Sequence, residues 1–438
     1  MAILTLHHST DSGPAPVAAR RGRSGLACAF GGGAAGRSSP RGRVARWPLL
    51  LAALGVAACS DALGTLPAPP AFLAVTAGGH HSCAVTDAGL AYCWGRGQDG
   101  ELGQGSNQNS LVLAQVTTSV KFTAITAGES HTCALASDGA AWCWGWNAYY
   151  QRGNATDTGL GPVAVAGGRT FRTIDAGEQH TCAITSAGQA FCWGYNRFGQ
   201  LGDGTTNTSI GPVPVAGSLV FAQISAGGRH TCGLTADGTA YCWGDNSVGQ
   251  LGTGSDSIAA LTPRRVSGTL HYTMISAGAN HTCAIATGNQ AYCWGGDEFG
   301  QLGTGAASRP GVPGAATPVA AGATFQFDSI RAGTDVTCAV GRNAYLNSGF
   351  CWVRGLFGQI GTGTTVDQYH PQTIYLQPGR QFNTDLLGFL YVEPSGETHS
   401  CGLSFDHAAY CWGTGQLGEL GAGSITYSGV PLLVQLPH

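Results

Sequence analysis

From Phe221 to Gly252 the chain reads FAQISAGGRHTCGLTADGTAYCWGDNSVGQLG. Apolar and polar residues change places in short runs, with strand spacing rather than helical spacing. Ala222-Gln223-Ile224-Ser225 predicts a short strand, and Ala226-Gly227-Gly228 a bend that needs glycine. His230 to Thr235 predicts a second strand, Asp237-Gly238 a hairpin turn, and Thr239 to Trp243 a third strand. A polar loop follows, then a Pro-x-x-Val strand such as Pro212 to Val215 in the preceding copy. Four strands in such a unit are the content of one propeller blade.

The unit recurs. Its Cys-Trp pair places tryptophan at Trp94, Trp144, Trp193, Trp243, Trp294, Trp352 and Trp412. The cysteines at 83, 133, 182, 232, 283, 338 and 401 are spaced by 50, 49, 50, 51, 55 and 63 residues. A period near 50 residues means an array of small sheets. The fold predicted is all-β: a seven-bladed β-propeller over 72–438, with four short antiparallel strands per blade. Copy six is degenerate, with Val336 where the others carry histidine, a longer Cys338–Cys351 hairpin and an irregular linker over 363–398. The 70 glycines and the 10% charged residues suit many tight turns.

Several separate words recur in order over roughly 72–436: AGxxHTCAL, a DG or AG turn, YCWG, GQLG and a later proline. This phrase resembles the regulator of chromosome condensation repeat. The resemblance implies a closed seven-bladed ring, and a function in binding other proteins across one propeller face. Guanine-nucleotide exchange, the activity of that family's founding nuclear member, is a further alternative it implies.

The beginning of the chain is different. Residues 47–58 read WPLLLAALGVAA, followed by Cys59-Ser60-Asp61. Twelve apolar residues are too few to span a bilayer, but they match the core of an export signal. Val56-Ala57-Ala58-Cys59 resembles a bacterial lipobox, which implies a lipid anchor at Cys59; plain secretion or a periplasmic location is the alternative. Ser60 in second position favours the outer membrane or cell surface. The leader covers 1–58, and a start near Val44 would leave most of its low-complexity part, 1–46, untranslated. Residues 59–71 form a Pro-rich tether. Seven arginines and one acid precede Cys59; removing them from 21 basic and 24 acidic residues leaves 14 and 23, net −9. That sign argues against a nucleic-acid partner, and leaves the lipid anchor as the chain's only contact with a membrane.

Fourteen of the 16 cysteines fall into seven pairs: Cys83 with Cys93, Cys133 with Cys143, Cys182 with Cys192, Cys232 with Cys242, Cys283 with Cys293, Cys338 with Cys351 and Cys401 with Cys411. In six pairs, nine residues fold about a central turn, which sets the cysteines opposite one another on neighbouring strands, about 4.5–5.5 Å apart at Cα. Export permits oxidation, so each blade is expected to carry its own cross-strand bridge. The alternative is seven pairs of buried free thiols.

Histidines recur at 81, 131, 180, 230, 281 and 399. Metal ligands must converge within about 2.0–2.1 Å of one ion, whereas one offset in six blades reads as a strand-end residue bonding its own loop. The repeated tryptophans read as packing between blades. Asp87, Asp138 and Asp237 precede hairpin turns, where aspartate is favoured for backbone reasons. No nucleophile elbow, P-loop or zinc-protease motif occurs, and no pocket of unlike groups stands out. No catalytic residue, metal or cofactor is expected. The chain is expected to be a monomeric, non-enzymatic binding scaffold for a protein or a glycan. The unlike loops Asn107–Leu113, Ala148–Leu160, Ser255–Thr262, Ala306–Thr317 and Thr364–Leu376 are the recognition candidates, with Trp146, Tyr149, Tyr150, Tyr369 and Tyr375 as partner-binding residues. A secreted inhibitor of a partner enzyme, using the Trp146–Tyr150 cluster as its hot spot, is the alternative.

Overall fold

The computed structural model describes residues 70–155, 160–255, 257–308, 314–322, 324–342, 347–375, 388–395 and 398–436. They fall within one unit, Thr65–His438. Cys59, the leader and the tether up to residue 69 lie outside the described residues, as do parts of four candidate loops.

Blade 1 consists of β1 (Phe72–Ala77), β2 (His81–Thr86), β3 (Ala91–Gly95) and β4 (Ser110–Gln115), each antiparallel to the next. The same order recurs over 122–164, 173–214, 221–265, 272–320, 326–373 and 389–433, giving seven four-stranded sheets. No sheet borrows a strand from another, so the ring closes without strand exchange. Phe72 N donates to His407 O (3.0 Å) and Gly423 N to Leu111 O (2.9 Å) across the closing junction.

Strand alternation explains the core. Neighbouring residues on a strand face opposite ways, so Cys93 and Trp94 point to different sides of their blade. The cysteine side of blade 1 (Cys83, Val85, Cys93, Leu102) packs against the tryptophan side of blade 2 (Phe122, Ile125, Trp144). This layer recurs through the last junction, where Cys401, Leu403 and Cys411 meet Phe72, Val75 and Trp94. The core is therefore seven inter-blade layers. Each repeat tryptophan is essentially inaccessible, and burying a ring of that size contributes roughly 4–6 kcal/mol.

The paired cysteines are directly opposed on the second and third strands of every blade. Cys83 lies across from Cys93, Cys133 from Cys143, Cys182 from Cys192 and Cys232 from Cys242. Cys283 likewise faces Cys293, Cys338 faces Cys351 and Cys401 faces Cys411. All seven pairs have their sulfurs at disulfide distance. Their Cα atoms are 4.0–4.1 Å apart, somewhat closer than the 4.5–5.5 Å expected of opposed residues in a hairpin.

Two blades depart from the pattern. Blade 2 has an outer strand of two residues, Val163–Ala164. Blade 6 has seven-residue second and third strands, and buried Val353 takes φ +112° where the other blades place glycine after the tryptophan.

Antiparallel order gives the ring two distinct faces. Turns between first and second strands, and loops between third and outer strands, form one end, here the upper face. The short hairpins and the inter-blade linkers form the lower face.

Candidate interaction face and central channel

One hydrogen-bond relay joins most neighbouring blades. His81 Nε2 lies 2.8 Å from Thr132 Oγ1, and Thr132 Oγ1 donates to Glu101 O at 3.0 Å. Trp144 Nε1 donates to the same carbonyl at 2.7 Å. The threonine hydroxyl has one proton and spends it on the carbonyl, so His81 must donate from Nε2 and carry no proton on Nδ1. The arrangement recurs at His131–Thr181 (2.9 Å), His180–Thr231 (2.8 Å), His230–Thr282 (2.8 Å), His281–Thr337 (2.9 Å) and His399–Ser82 (2.7 Å). The histidines thus bond the next blade, not their own loop. A short polar side chain one residue later in each repeat was available to take the bond, and sequence spacing alone did not reveal that partner. Burial pushes all six imidazoles down to about 3 and keeps them neutral. Among the described residues no group of three or more His, Cys, Asp or Glu gathers as a metal site.

The inner strands enclose a central channel of about 560 Å³. At one level it is ringed by Thr76, Thr126, Asp175, Ser225, Ser276, Arg331 and Glu393, one from each blade. Five of these accept a backbone N–H from the next blade: Ala127 to Thr76 (3.1 Å), Ala176 to Thr126 (3.2 Å), Ala226 to Asp175 (2.8 Å), Ala277 to Ser225 (3.1 Å) and Ala332 to Ser276 (3.0 Å). Arg331 Nε instead donates to Glu393 Oε1 at 2.7 Å. Tyr391 OH accepts the N–H of Val75 at 2.7 Å across the closing junction. Burial raises the Asp175 carboxyl to about 6, and nearby Glu393 adds to the shift. The channel is therefore a pocket of unlike groups after all. The two carboxylates at this level are each engaged, Asp175 by Thr126, Ser225 and Ala226 and Glu393 by Arg331. The position is identical in every repeat, so aligning the inner strands would have exposed the substitutions.

Blade 2 is where the upper face departs from the repeat. Gly-Gln-Leu-Gly becomes Tyr150-Gln151-Arg152-Gly153. Tyr150 sits at φ +62° in a position that is glycine in the other six blades, a conformation costing a non-glycine residue about 1–2 kcal/mol. Arg152 takes the buried leucine position and is 2% exposed. The loop is held firmly: Gln151 Oε1 accepts the N–H of Tyr149 (3.0 Å) and Asn147 Oδ1 that of Arg152 (2.9 Å). Trp146 and Tyr149 meet edge to face at 5.3 Å, Tyr149 leans on Tyr195 of blade 3 at 4.6 Å, and Tyr195 meets Phe198 at 6.3 Å. The Arg229 guanidinium of blade 4 caps Phe198 at 5.0 Å. The result is an aromatic row across blades 2 to 4, edged by exposed Arg197 and Arg229.

The five predicted partner-binding residues do not form one site. Trp146, Tyr149 and Tyr150 cluster, but Trp146 and Tyr149 are half-buried in the row, and only Tyr150 is well exposed. Tyr369 and Tyr375 are exposed on blade 6, and Tyr369 lies against Gly300 of blade 5. Tyr195, Phe198 and Arg229 were missed, because the row is assembled from equivalent positions in successive repeats.

The RCC1-like domain model matches residues 33–314, well over half of the chain. The chain belongs to the RCC1-like domain family. The match stops before blades 6 and 7, where the RCC1-like repeat lengthens. The ultraviolet-B receptor UVR8 of Arabidopsis thaliana is 31% identical over 184 residues, covering 41% of this chain and 37% of that protein. This RCC1-like chain thus spans just over a third of that relative's length. Prp20p of Saccharomyces cerevisiae, whose structure was described with its binding to Gsp1p and histones, superposes with TM-score 0.68 at 22% identity over 80% of this chain and 87% of that one. The yeast protein in its complex with Kap60 superposes with TM-score 0.67 at 21% identity over 79% of this chain and 83% of that one. At these identities both likenesses speak for the shared propeller fold.

Proposed function

We propose that this RCC1-like propeller is an exported, lipid-anchored, non-enzymatic scaffold that binds a protein partner through the upper face of blades 2 to 4. The observation that carries the reading is Tyr150, an exposed aromatic at positive φ where the other blades have glycine. Backbone strain persists where the surroundings over-determine it, and it concentrates at functional sites. The row beside it is rich in Trp, Tyr and Arg, the residue types that dominate binding hot spots. The binding of Prp20p to other proteins supports a protein rather than a small molecule as the partner. The apolar leader and the sequence around Cys59 support export and acylation.

The described chain enters the ring at the lower face, opposite the aromatic row: Asp87 N donates to Ala71 O (3.1 Å) and Phe72 N to His407 O (3.0 Å), both at lower-face hairpins.

Affinity capture from a cell-envelope fraction tests the reading. Immobilised full chain should retain a specific protein that a double variant, Trp146→Ala with Tyr150→Gly, loses. Equal retention by both contradicts it.

A further inference from the structure

The central channel has a feature that holding the blades together does not require. Thr76, Thr126, Ser225 and Ser276 each accept the N–H of the next blade with a neutral hydroxyl. Asp175 does the same work with a carboxylate, although burial disfavours its charged form. The repeat itself is the control: four of five such slots manage without a charge. A charge kept against that cost points to a use beyond the junction.

The surroundings narrow that use. Arg331, the only arginine or lysine lining the channel among the described residues, is engaged by Glu393. The ring therefore carries one net negative charge when Asp175 is ionised. Thr126 Oγ1 donates to Asp175 Oδ1 (3.2 Å), Ala226 N donates to Oδ2 (2.8 Å) and the Ser225 hydroxyl also bonds the carboxylate, which leaves one lone pair for a further donor. Glu129 and Glu178 stand at the upper mouth on blades 2 and 3, the same side as Asp175. Leu73, Ala77, Ala127 and Ile174 contribute apolar wall, while Ile125, Ile224 and Ile275 are buried between the blades. The volume of about 560 Å³ falls within the roughly 300–1,000 Å³ of small-molecule sites, which combine apolar lining with a few fixed polar groups.

We propose that the channel binds a small amphipathic organic ammonium ion, its cationic head held by Asp175 and its hydrocarbon body by the apolar wall around Leu73 and Ile174. The site is separate from the aromatic row, so it stands or falls independently of the proposed partner face.

The test is calorimetric titration of the full chain with n-hexylammonium and, in parallel, n-hexanol. Hexylammonium should bind and raise the melting temperature, and hexanol should bind at least about tenfold more weakly. Asp175→Thr, which installs the residue of the preceding blade's slot, should melt no lower than the parent and lose at least about tenfold in hexylammonium affinity. Asp175→Ser, the residue of the following blade, replaces it if the threonine variant does not fold. No binding of hexylammonium, equal binding of hexanol, or undiminished binding by the folded Asp175 variant overturns the proposal.

Discussion

Arg331 and Pro394 fill the two halves of one slot with groups that cannot bond. At five other junctions a channel side chain accepts the N–H of the next blade, as Ser276 does from Ala332 at 3.0 Å. Arg331 has no acceptor atom and Pro394 no N–H, so Arg331 turns to Glu393. The same junction lacks the histidine relay, because Val336 stands where histidine would face Ser400. Blades 6 and 7 are held instead by that ion pair and by Val336, Phe389, Val392 and Trp412.

This seam should open first. Glu393→Gln is expected to destabilise the ring by about 1–3 kcal/mol, with more loss at low ionic strength than at high. Hydrogen exchange should quicken in 389–394 before it does in 72–77. Uniform quickening of all inner strands would show that the seam is no weaker than the rest.

The relay predicts strong coupling between its members. Thr231→Val keeps the shape of the side chain but leaves His180 Nε2 without its acceptor and Gln200 O with one side-chain donor, the Trp243 indole N–H, in place of two. A loss of about 1–3 kcal/mol in urea unfolding is expected. Adding His180→Val, the residue blade 6 tolerates at 336, should cost clearly less than the sum of the two single changes. Additive losses would mean that the two side chains act separately.

Acid should weaken the ring. The six relay histidines are held near 3, against about 6.5 when unfolded. Between those values the unfolded chain takes up protons that the folded chain refuses, so stability is full above about 6.5 and is lost as pH falls toward 3. Asp175, raised to about 6 from 3.8, acts in the opposite sense between those two values. Glu101, Asp297 and Glu419, also raised by burial, share its sign. Six histidines outweigh four carboxyls. Each unmatched proton contributes about 1.4 kcal/mol per pH unit, so the urea midpoint should fall steeply from pH 7 to pH 5. His281→Val should lower that slope by about one proton. A midpoint that stays level or rises over the same range would contradict the neutral relay.

Tyr150 separates stability from recognition. Tyr150→Gly relieves the positive φ and should stabilise the fold by about 1 kcal/mol, read as a higher melting temperature. The same change should weaken partner binding by at least about tenfold. A variant that is more stable and still binds fully would remove Tyr150 from the site.

The ring was legible because its signals are local and repeated. Alternation, the Asp-Gly and Ala-Gly turns and the Cys-Trp-Gly strand recur along the chain, so the blade count and the opposed cysteines follow from period and hairpin geometry. Contacts between blades were not legible, because they join residues about fifty positions apart. His180 meeting Thr231 and Tyr149 meeting Tyr195 depend on how blades pack. The symmetry-breaking groups Asp175, Arg331, Tyr150 and Arg152 were present in the sequence but hidden among conforming repeats. They become visible when each is compared with the six residues that share its position.

If recognition lies on the upper face of blades 2 to 4 while the symmetric residues maintain the ring, a photo-crosslinking amino acid placed at Tyr150 in intact cells should give a discrete protein adduct. The same amino acid at Asp138, at the opposite end of the same blade, should give none. An adduct from 138 alone, or from neither position, would contradict that reading.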